Sequence, residues 1–367
     1  MRVAVVGCGA MGAAAAWRLS KRGADVVAFD RYSPPHDRGS THGESRITRT
    51  AYLEGEFYVP LLQETFPMWR ELEAEAGVDL LAMTGLLTIG ASTSQTVEAT
   101  LASARAHALE VHVLDAAEVR KRYPGHVLAD DEVAVLDPQA GYLRPEKAVE
   151  AMTRGIELRR NMVVTAIKPR EDAVEVLTAD GPETFDAAVL SAGPWMRELM
   201  PNLPLTVERQ VMVWLAMQSG VESFTPARFP PWLREGTAEG DVYGFPTLDG
   251  QSIKLGRHHG GEAVSPETAR RAVTDADLDP LRLFITKYLR GVTRHVVRSA
   301  TCLYTNTPDE AFIVDVHPES PRVAVLSVCS GHGFKFAPVM GDIAADLLLD
   351  GGTPRDISRF SMARFRD

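Results

Sequence analysis

The stretch that most constrains this chain is its beginning, "RVAVVGCGAMGAAAAWRLSKRGADVVAFD", residues 2–30. "RVAVV" is a short β-branched run of the kind that forms a strand buried on both faces. "AAAAWRLSKRG" joins strong helix formers to a glycine at the expected C-terminal stop. "ADVVAFD" is a second strand running to Asp30. Between the first strand and the helix, Gly7, Gly9 and Gly12 are spaced G-x-G-x-x-G. In this context Gly7 allows the tight turn, Gly9 lets backbone amides approach a pyrophosphate, and Gly12 permits close helix–sheet packing. The helix N-terminus favours the anion, and Asp30 stands where a carboxylate takes ribose hydroxyls. A βαβ unit that binds a dinucleotide is therefore predicted. The fingerprint does not separate NAD from FAD. The acidic Asp30 disfavours NADP, and a motif at the extreme N-terminus with its sheet completed far downstream hints at a flavoprotein.

The rest of the chain says what such a unit is attached to. With 367 residues there is room for two domains. A content of 45% hydrophobic and 24% charged residues is that of a soluble globular protein. A net charge of −10 argues against a nucleic-acid partner, because a phosphate backbone requires a basic surface. Three cysteines are too few for a disulfide framework and fit a reducing compartment. No secretory signal and no apolar run long enough to span a bilayer is present, so a cytoplasmic protein without a membrane partner is expected.

Further along, "RYSPPHDRGSTHGESRITRTAY" is a long polar loop, the kind that in a compact protein is usually functional. Helices are predicted from Tyr58 to Glu75 and from about Pro338 to Leu349. "VEVLTADGPETFDAAVLSAGPW" reads as a hairpin followed by an apolar strand and a glycine turn, and "RVAVLSVCSGHGF" as another apolar strand ending in a glycine turn. These parallel-type strands are scattered, so the nucleotide domain is expected to be assembled from separate pieces. "LPLTVERQVMVWLAM" and "GDVYGFPTLDGQSIKLGRH" alternate and predict a mostly antiparallel second domain. The expected class is mixed α/β, with a discontinuous Rossmann-like domain (1–80, 141–206 and 308–367) and an antiparallel substrate domain (81–140 and 207–307).

Five blocks, "GCGAMG", "SPPHDRGSTHGESRITRTAY", "YGFPTLDGQSIKLGRH", "CLYTNTPDEAFIVDVHPE" and "SGHGFKFAPVMG", together resemble the monomeric sarcosine oxidase and N-methyltryptophan oxidase family, within the D-amino-acid-oxidase-like flavoproteins. They occur in the family's order over nearly the whole chain. The resemblance implies an FAD-dependent oxidase of secondary amino acids. It would oxidise the C–N bond of an N-methyl or cyclic amino acid to an imine and reduce oxygen to hydrogen peroxide. It implies a monomer, no metal, and only a small amino-acid substrate and oxygen as partners. Alternatives are an oxidase or flavin dehydrogenase acting on another amine, such as a glycated or cyclic imino acid, and an NAD-linked dehydrogenase.

The resemblance also assigns residues. FAD would be held by Gly7, Gly9, Ala10, Met11, Gly12, Asp30, Arg46, Val164, Gly193, Cys302, Gly331, Gly333, Phe334 and Lys335. Cys302, in the C-x-Y-T segment before Tyr304, would be joined to the flavin 8α carbon as a thioether; read without the resemblance, it is a buried apolar cysteine. Cys8, in the glycine turn, and Cys329, read as inside an apolar strand, have no matching role. Arg49 and Lys335 would clamp the substrate carboxylate, a sensible use of a guanidinium fork and an ammonium. His332, Tyr243, His258 and Tyr304 fall on active-site positions. Lys254, in "SIKLG", would sit over the flavin away from substrate and stabilise charge developing on oxygen; the bland reading is a strand lysine facing solvent. Three departures from the family stand out. Thr41 replaces the first of two paired histidines before His42. "PEKAVEAMTRGIELRRN" is a few residues short. In "FPPWLRE", Trp232 occupies a pocket position where a smaller aromatic is expected, which leaves substrate size open.

Overall fold

Five strands drawn from four separated stretches of the chain pair in parallel, in the order Ser320–Ser327, Ala187–Leu190, Arg2–Val6, Asp25–Phe29 and Glu157–Arg159. Ile313–His317 closes one edge antiparallel. The computed structural model describes residues 1–218 and 220–365. The sheet is buried on both faces, which is why its strands read as continuous apolar runs. One face packs on the helices Ala10–Lys21, Val59–Ala76, Pro145–Met152 and Ala337–Leu349. The other face, through Phe29 and Leu190, packs on the antiparallel strands Val164–Pro169, Val174–Thr178 and Gly181–Phe185.

Small residues set the geometry of the first turn. Gly7 has φ +86°, a left-handed conformation that glycine adopts without strain. A Cβ on Gly12 would lie 1.8 Å from the Gly7 carbonyl oxygen, so the helix can start this close to the strand only without a side chain there. The alanines 13–16 are fully buried, and Gly341 of the C-terminal helix comes so near that a Cβ would be 2.4 Å from the Ala14 oxygen.

Among the described residues the second sheet has nine strands and is mainly antiparallel. Its centre is Thr206–Met217, flanked on one side by Ser252–Arg257 and on the other by the fifteen-residue strand Val292–Asn306. Val242–Phe245, Trp232–Arg234, Leu86–Ala91 and Glu132–Asp137 extend it, and the pairing of Trp232–Arg234 with Leu86–Ala91 is its parallel exception. Val213, Leu215, Trp232, Ile253 and Leu255 point from one face into a core shared with the helix Asp275–Tyr288. The opposite face carries Met212, Leu233, Tyr243 and Phe245 over a cavity between the two sheets. Mixed α/β architecture with an interrupted parallel sheet and a separate antiparallel one agrees with the expectation from sequence. Among the described residues no helix is long and apolar enough to cross a membrane.

Candidate active site

The cavity is an elongated slot that starts at the glycine turn. Gly7, Gly9, Ala10, Met11 and Asp30 line it, with Val164 and Gly193 nearby. A Cβ on Gly9 would meet only the Thr41 hydroxyl, at 3.7 Å, and one on Gly193 would meet nothing within 4 Å. Side chains at these positions would fill space that the bare backbone leaves to a ligand. The buried Asp30 carboxylate accepts the amides of Cys8 and Tyr32, each at 2.8 Å, and lies 3.3 Å from His36 Nε2. These contacts fix the carboxylate while leaving lone pairs for hydroxyl donors. A dinucleotide with its pyrophosphate at the turn and a ribose at Asp30 fits this cradle.

Farther along, the slot passes under the antiparallel sheet. Cys302 and Tyr304, two residues apart on Val292–Asn306, both face it, as strand periodicity requires. Arg46 donates to the carbonyls of Ser40 (2.7 Å) and Ser45 (2.8 Å), and its Nη2 lies 3.8 Å from Cys302 Sγ. Burial raises the Cys302 thiol pKa and the Arg46 charge opposes that rise. Tyr243 and His258 complete this part of the wall. Enclosure pushes the Tyr243 hydroxyl up to about 12 and His258 down to about 3. His258 Nδ1 is 3.5 Å from the Tyr304 hydroxyl.

The slot ends at Gly331, His332, Gly333, Phe334 and Lys335, with Arg49 and Glu54 from the long N-terminal loop. Lys335 is buried, and its ammonium donates to the His332 carbonyl (2.5 Å) and the Tyr52 hydroxyl (3.1 Å). The Tyr52 hydroxyl lies 2.7 Å from His332 Nδ1, and His332 Nε2 lies 3.0 Å from the Glu310 carbonyl. A carbonyl can only accept, so Nε2 carries the proton and Nδ1 accepts from Tyr52. Burial first, then the nearby Lys335, holds His332 neutral at about 4 despite the opposing Glu54 charge. Arg49 is ion-paired with Glu54, and its Nε is buried without a partner, as is Glu54 Oε2. Burial alone would raise the Glu54 carboxyl; Arg49, His332 and Lys335 reverse this and bring it to about 2. Tyr52 and Glu54 were not predicted. They sit in a loop without periodicity, and no spacing in the sequence marks them.

Burial, with Arg49 beside it, lowers the Lys335 pKa from 10.5 to about 7. The unfolded chain therefore binds more protons than the folded one between pH 7 and 10.5, so this group's contribution to stability rises with pH across that window. Its cost is fully present below pH 7. Lys335→Met should stabilise the flavin-free chain most below pH 7, by at most ~5 kcal/mol at ~1.4 kcal/mol per pKa unit, and the margin should shrink towards pH 10. Denaturant titrations of both proteins across this range check it; a margin independent of pH would show that the ammonium is not desolvated.

Two predicted residues do not line the slot. Gly12 acts through packing, as described above. Lys254 is buried, contrary to a solvent-facing reading, but lies one layer behind the wall formed by Ser45, Met212 and Phe245. Its ammonium donates to the carbonyls of Gly43 (2.7 Å) and Ser45 (2.9 Å) and to Ser45 Oγ (3.2 Å), and it borders a small second cavity with Trp214 and Glu44. Two readings need correction. Trp232 is not a pocket residue: it is fully buried on the core face, stacked on Phe284 with ring centroids 5.6 Å apart, and the next residue, Leu233, faces the slot. Cys329 is not inside a strand: the strand stops at Ser327, and Cys329 lies in the turn beyond it, lining the slot.

The chain is similar to several known proteins. The chain is 39% identical to the monomeric sarcosine oxidase of Streptomyces avermitilis, over 99% of this chain and 97% of that protein. It is 38% identical to the N-methyl-L-tryptophan oxidase of Yersinia pestis, over 99% and 98% respectively. Among solved structures, NikD, an unusual amino acid oxidase essential for nikkomycin biosynthesis, superposes with a TM-score of 0.87 at 26% identity, covering 98% of this chain and 96% of that one. The L-proline dehydrogenase of P. horikoshii shares the fold, with a TM-score of 0.84 at 19% identity, covering 99% and 97%. Residues 2–347 match the DAO family, described as FAD dependent oxidoreductase. By this match, and by relatives 38–39% identical over 99% of its length, the chain belongs to this family of FAD-dependent oxidoreductases.

Proposed function

We propose that the protein is an FAD-dependent amine oxidase of secondary amino acids, with an N-methyl or cyclic amino acid as substrate and oxygen as electron acceptor. The observation that carries this reading is the pair of buried cations, Arg49 and Lys335, at the end of the FAD slot. The sarcosine and N-methyltryptophan oxidases among its relatives support it. FAD, when bound, supplies the two-electron acceptor that takes a hydride equivalent from the carbon next to nitrogen and is reoxidised by oxygen to give hydrogen peroxide.

The chain's own residues orient and select. Two of the three Lys335 N–H groups are committed to His332 and Tyr52, which aims the third at a ligand. Arg49 Nε is buried and unpartnered, the signature of a donor waiting for an acceptor. Together they take a carboxylate. The histidines of the site are held neutral, so neither acts as a strong base, and the amine must arrive unprotonated. Segments 1–80, 141–206 and 308–367 form the FAD-binding domain, and 81–140 with 207–307 form the substrate domain; the two sheets divide close to these limits. Cys302 is the attachment point of the flavin, and Arg46 at 3.8 Å favours its thiolate. Lys254 serves oxygen reduction by placing a cation behind the slot wall.

Oxygen uptake over a panel of N-methyl amino acids, cyclic amino acids and their decarboxylated amines tests the substrate class. The acids should react and the amines should not. Lys335→Met should raise the apparent substrate constant more than tenfold, since a hydrogen bond to a charged group is worth about 1.5–3 kcal/mol. Equal activity on the amines would sink the clamp.

After acid precipitation the yellow colour should stay with the protein, and the intact mass should exceed that of the chain by one FAD. Cys302→Ala should release free FAD on the same treatment. A colourless pellet from fully loaded native protein would remove the tether.

Lys254→Met should leave anaerobic reduction by substrate within a few-fold of native. Reoxidation by oxygen should slow by about a thousandfold, equivalent to ~4 kcal/mol of charge stabilisation. Stopped-flow measurement of each half-reaction distinguishes this from a purely structural role through Gly43 and Ser45, which would slow both alike.

A further inference from the structure

The end of the slot beyond Asp30 is closed by contacts between the two lobes. Arg31, Trp195 and Glu198 line it, all from the lobe built on the parallel sheet. Behind them lies a segment of the other lobe, residues 264–271, which leaves the antiparallel sheet after Glu262–Ala263 and follows the pair Gly260–Gly261. The Glu267 carboxylate accepts from the Trp195 indole N–H at 2.5 Å and is ion-paired with Arg31, which also holds Glu198. Four residues on, Arg271 donates to the backbone carbonyls of Arg38 (2.7 Å) and Asp37 (3.4 Å), in the loop that borders the slot. The base of the segment is fixed: the buried Arg209 donates to the carbonyls of Arg270 (2.7 Å) and Ala272 (3.0 Å).

The two ends of the slot differ in how they could open. At the Cys302 end the wall is a strand laddered to Thr206–Met217 along its length, and Lys335 precedes a buried helix. Parting these walls would break a sheet. At the Arg31 end the lobes meet through contacts made by side chains of the strap, on the buried Trp195 and the partly exposed Arg31, with Glu267 itself 49% exposed. Contacts of that kind are weak and screened by salt. Since the glycine turn places a pyrophosphate and Asp30 a ribose, the Arg31 end is where the adenosine half of a dinucleotide lies.

We propose that residues 264–271 are a strap latched by Glu267 onto Arg31 and Trp195, and that opening this latch is the route by which FAD enters, and by which it leaves when it is not attached to Cys302. The inference rests on the reading of the slot as an FAD site. Glu267 does not line the slot, so its removal deletes the latch without deleting a wall.

The test uses the full-length chain carrying Cys302→Ala, prepared flavin-free, so that attachment cannot mask release. FAD association and dissociation are followed by flavin fluorescence, with FMN, which lacks the adenosine half, as the comparator. Glu267→Ala should speed both entry and release of FAD by about fivefold, and Arg271→Ala should act in the same direction. Release from the chain with Glu267 intact should accelerate between 0.05 and 0.5 M salt, while release from the Glu267→Ala chain should not respond. FMN release should be the same with and without Glu267. FAD exchange that is unchanged by Glu267→Ala at every salt concentration, or an equal acceleration of FMN, would overturn the strap while leaving the FAD site intact. Failure of the Glu267-intact chain to bind FAD at all would instead overturn the reading on which it rests.

Discussion

The site depends on one ladder. Thr206–Met217 pairs with Val292–Asn306 from Thr206 opposite Asn306 to Met217 opposite Val292. On its other side the same strand pairs with Ser252–Arg257, placing Trp214 opposite Lys254. A strand sends alternate residues to opposite faces, so this register decides at once which way several side chains of the roof point. Met212, Lys254, Cys302 and Tyr304 fall on the cavity side, whereas Val213, Leu215, Ile253 and Leu255 fall on the helix-covered side. A slip of one residue would bury the cysteine in the core and aim leucines at the cofactor.

That dependence explains what could be read from the sequence and what could not. The glycine turn is legible because three requirements (positive φ, open space and close helix approach) fall on three glycines within six residues. The scattered parallel strands are legible because burial on both faces leaves continuous apolar runs. Trp232 was misplaced because a short strand such as Trp232–Arg234 carries too few residues to show its phase; resemblance fixed the position but not the face. Tyr52 and Glu54 were missed for a different reason. Their importance comes from partners far away in sequence: Tyr52 meets His332 and Lys335 at separations of 280 and 283 residues. The Arg31–Glu267 contact spans 236 residues and is equally silent in one dimension.

Charge in the pocket is arranged by burial more than by pairing. His332 and His258 have no countercharge strong enough to offset desolvation, so both stay neutral across the physiological range. The Arg49 guanidinium is ion-paired with Glu54. Lys335 lies between these cases, with a pKa brought to about 7 and Glu54 opposing a further fall. This end of the slot thus holds a guanidinium beside a lysine whose protonation is set by its surroundings. A carboxylate bound there would add to the Glu54 charge and favour the protonated form of Lys335.

Lys254, on the strand Ser252–Arg257, shows the same residue type used differently. It too is buried and its pKa is driven well below the ordinary value by desolvation, then by Arg46. Its three acceptors, however, are Ser45 Oγ and the carbonyls of Gly43 and Ser45, so the ammonium is solvated by the turn that leads into Arg46. The amine therefore braces the segment that positions Arg46 against Cys302, and any charge it offers to chemistry in the slot acts through the wall. Glu44, in the left-handed region at φ 68° between those two carbonyls, turns its side chain outward to the Trp214 indole and Arg298. The turn thereby faces its carbonyls inward to the lysine and its carboxylate outward to solvent. A buried amine held this way is satisfied by backbone and hydroxyl dipoles and not by a directly paired carboxylate.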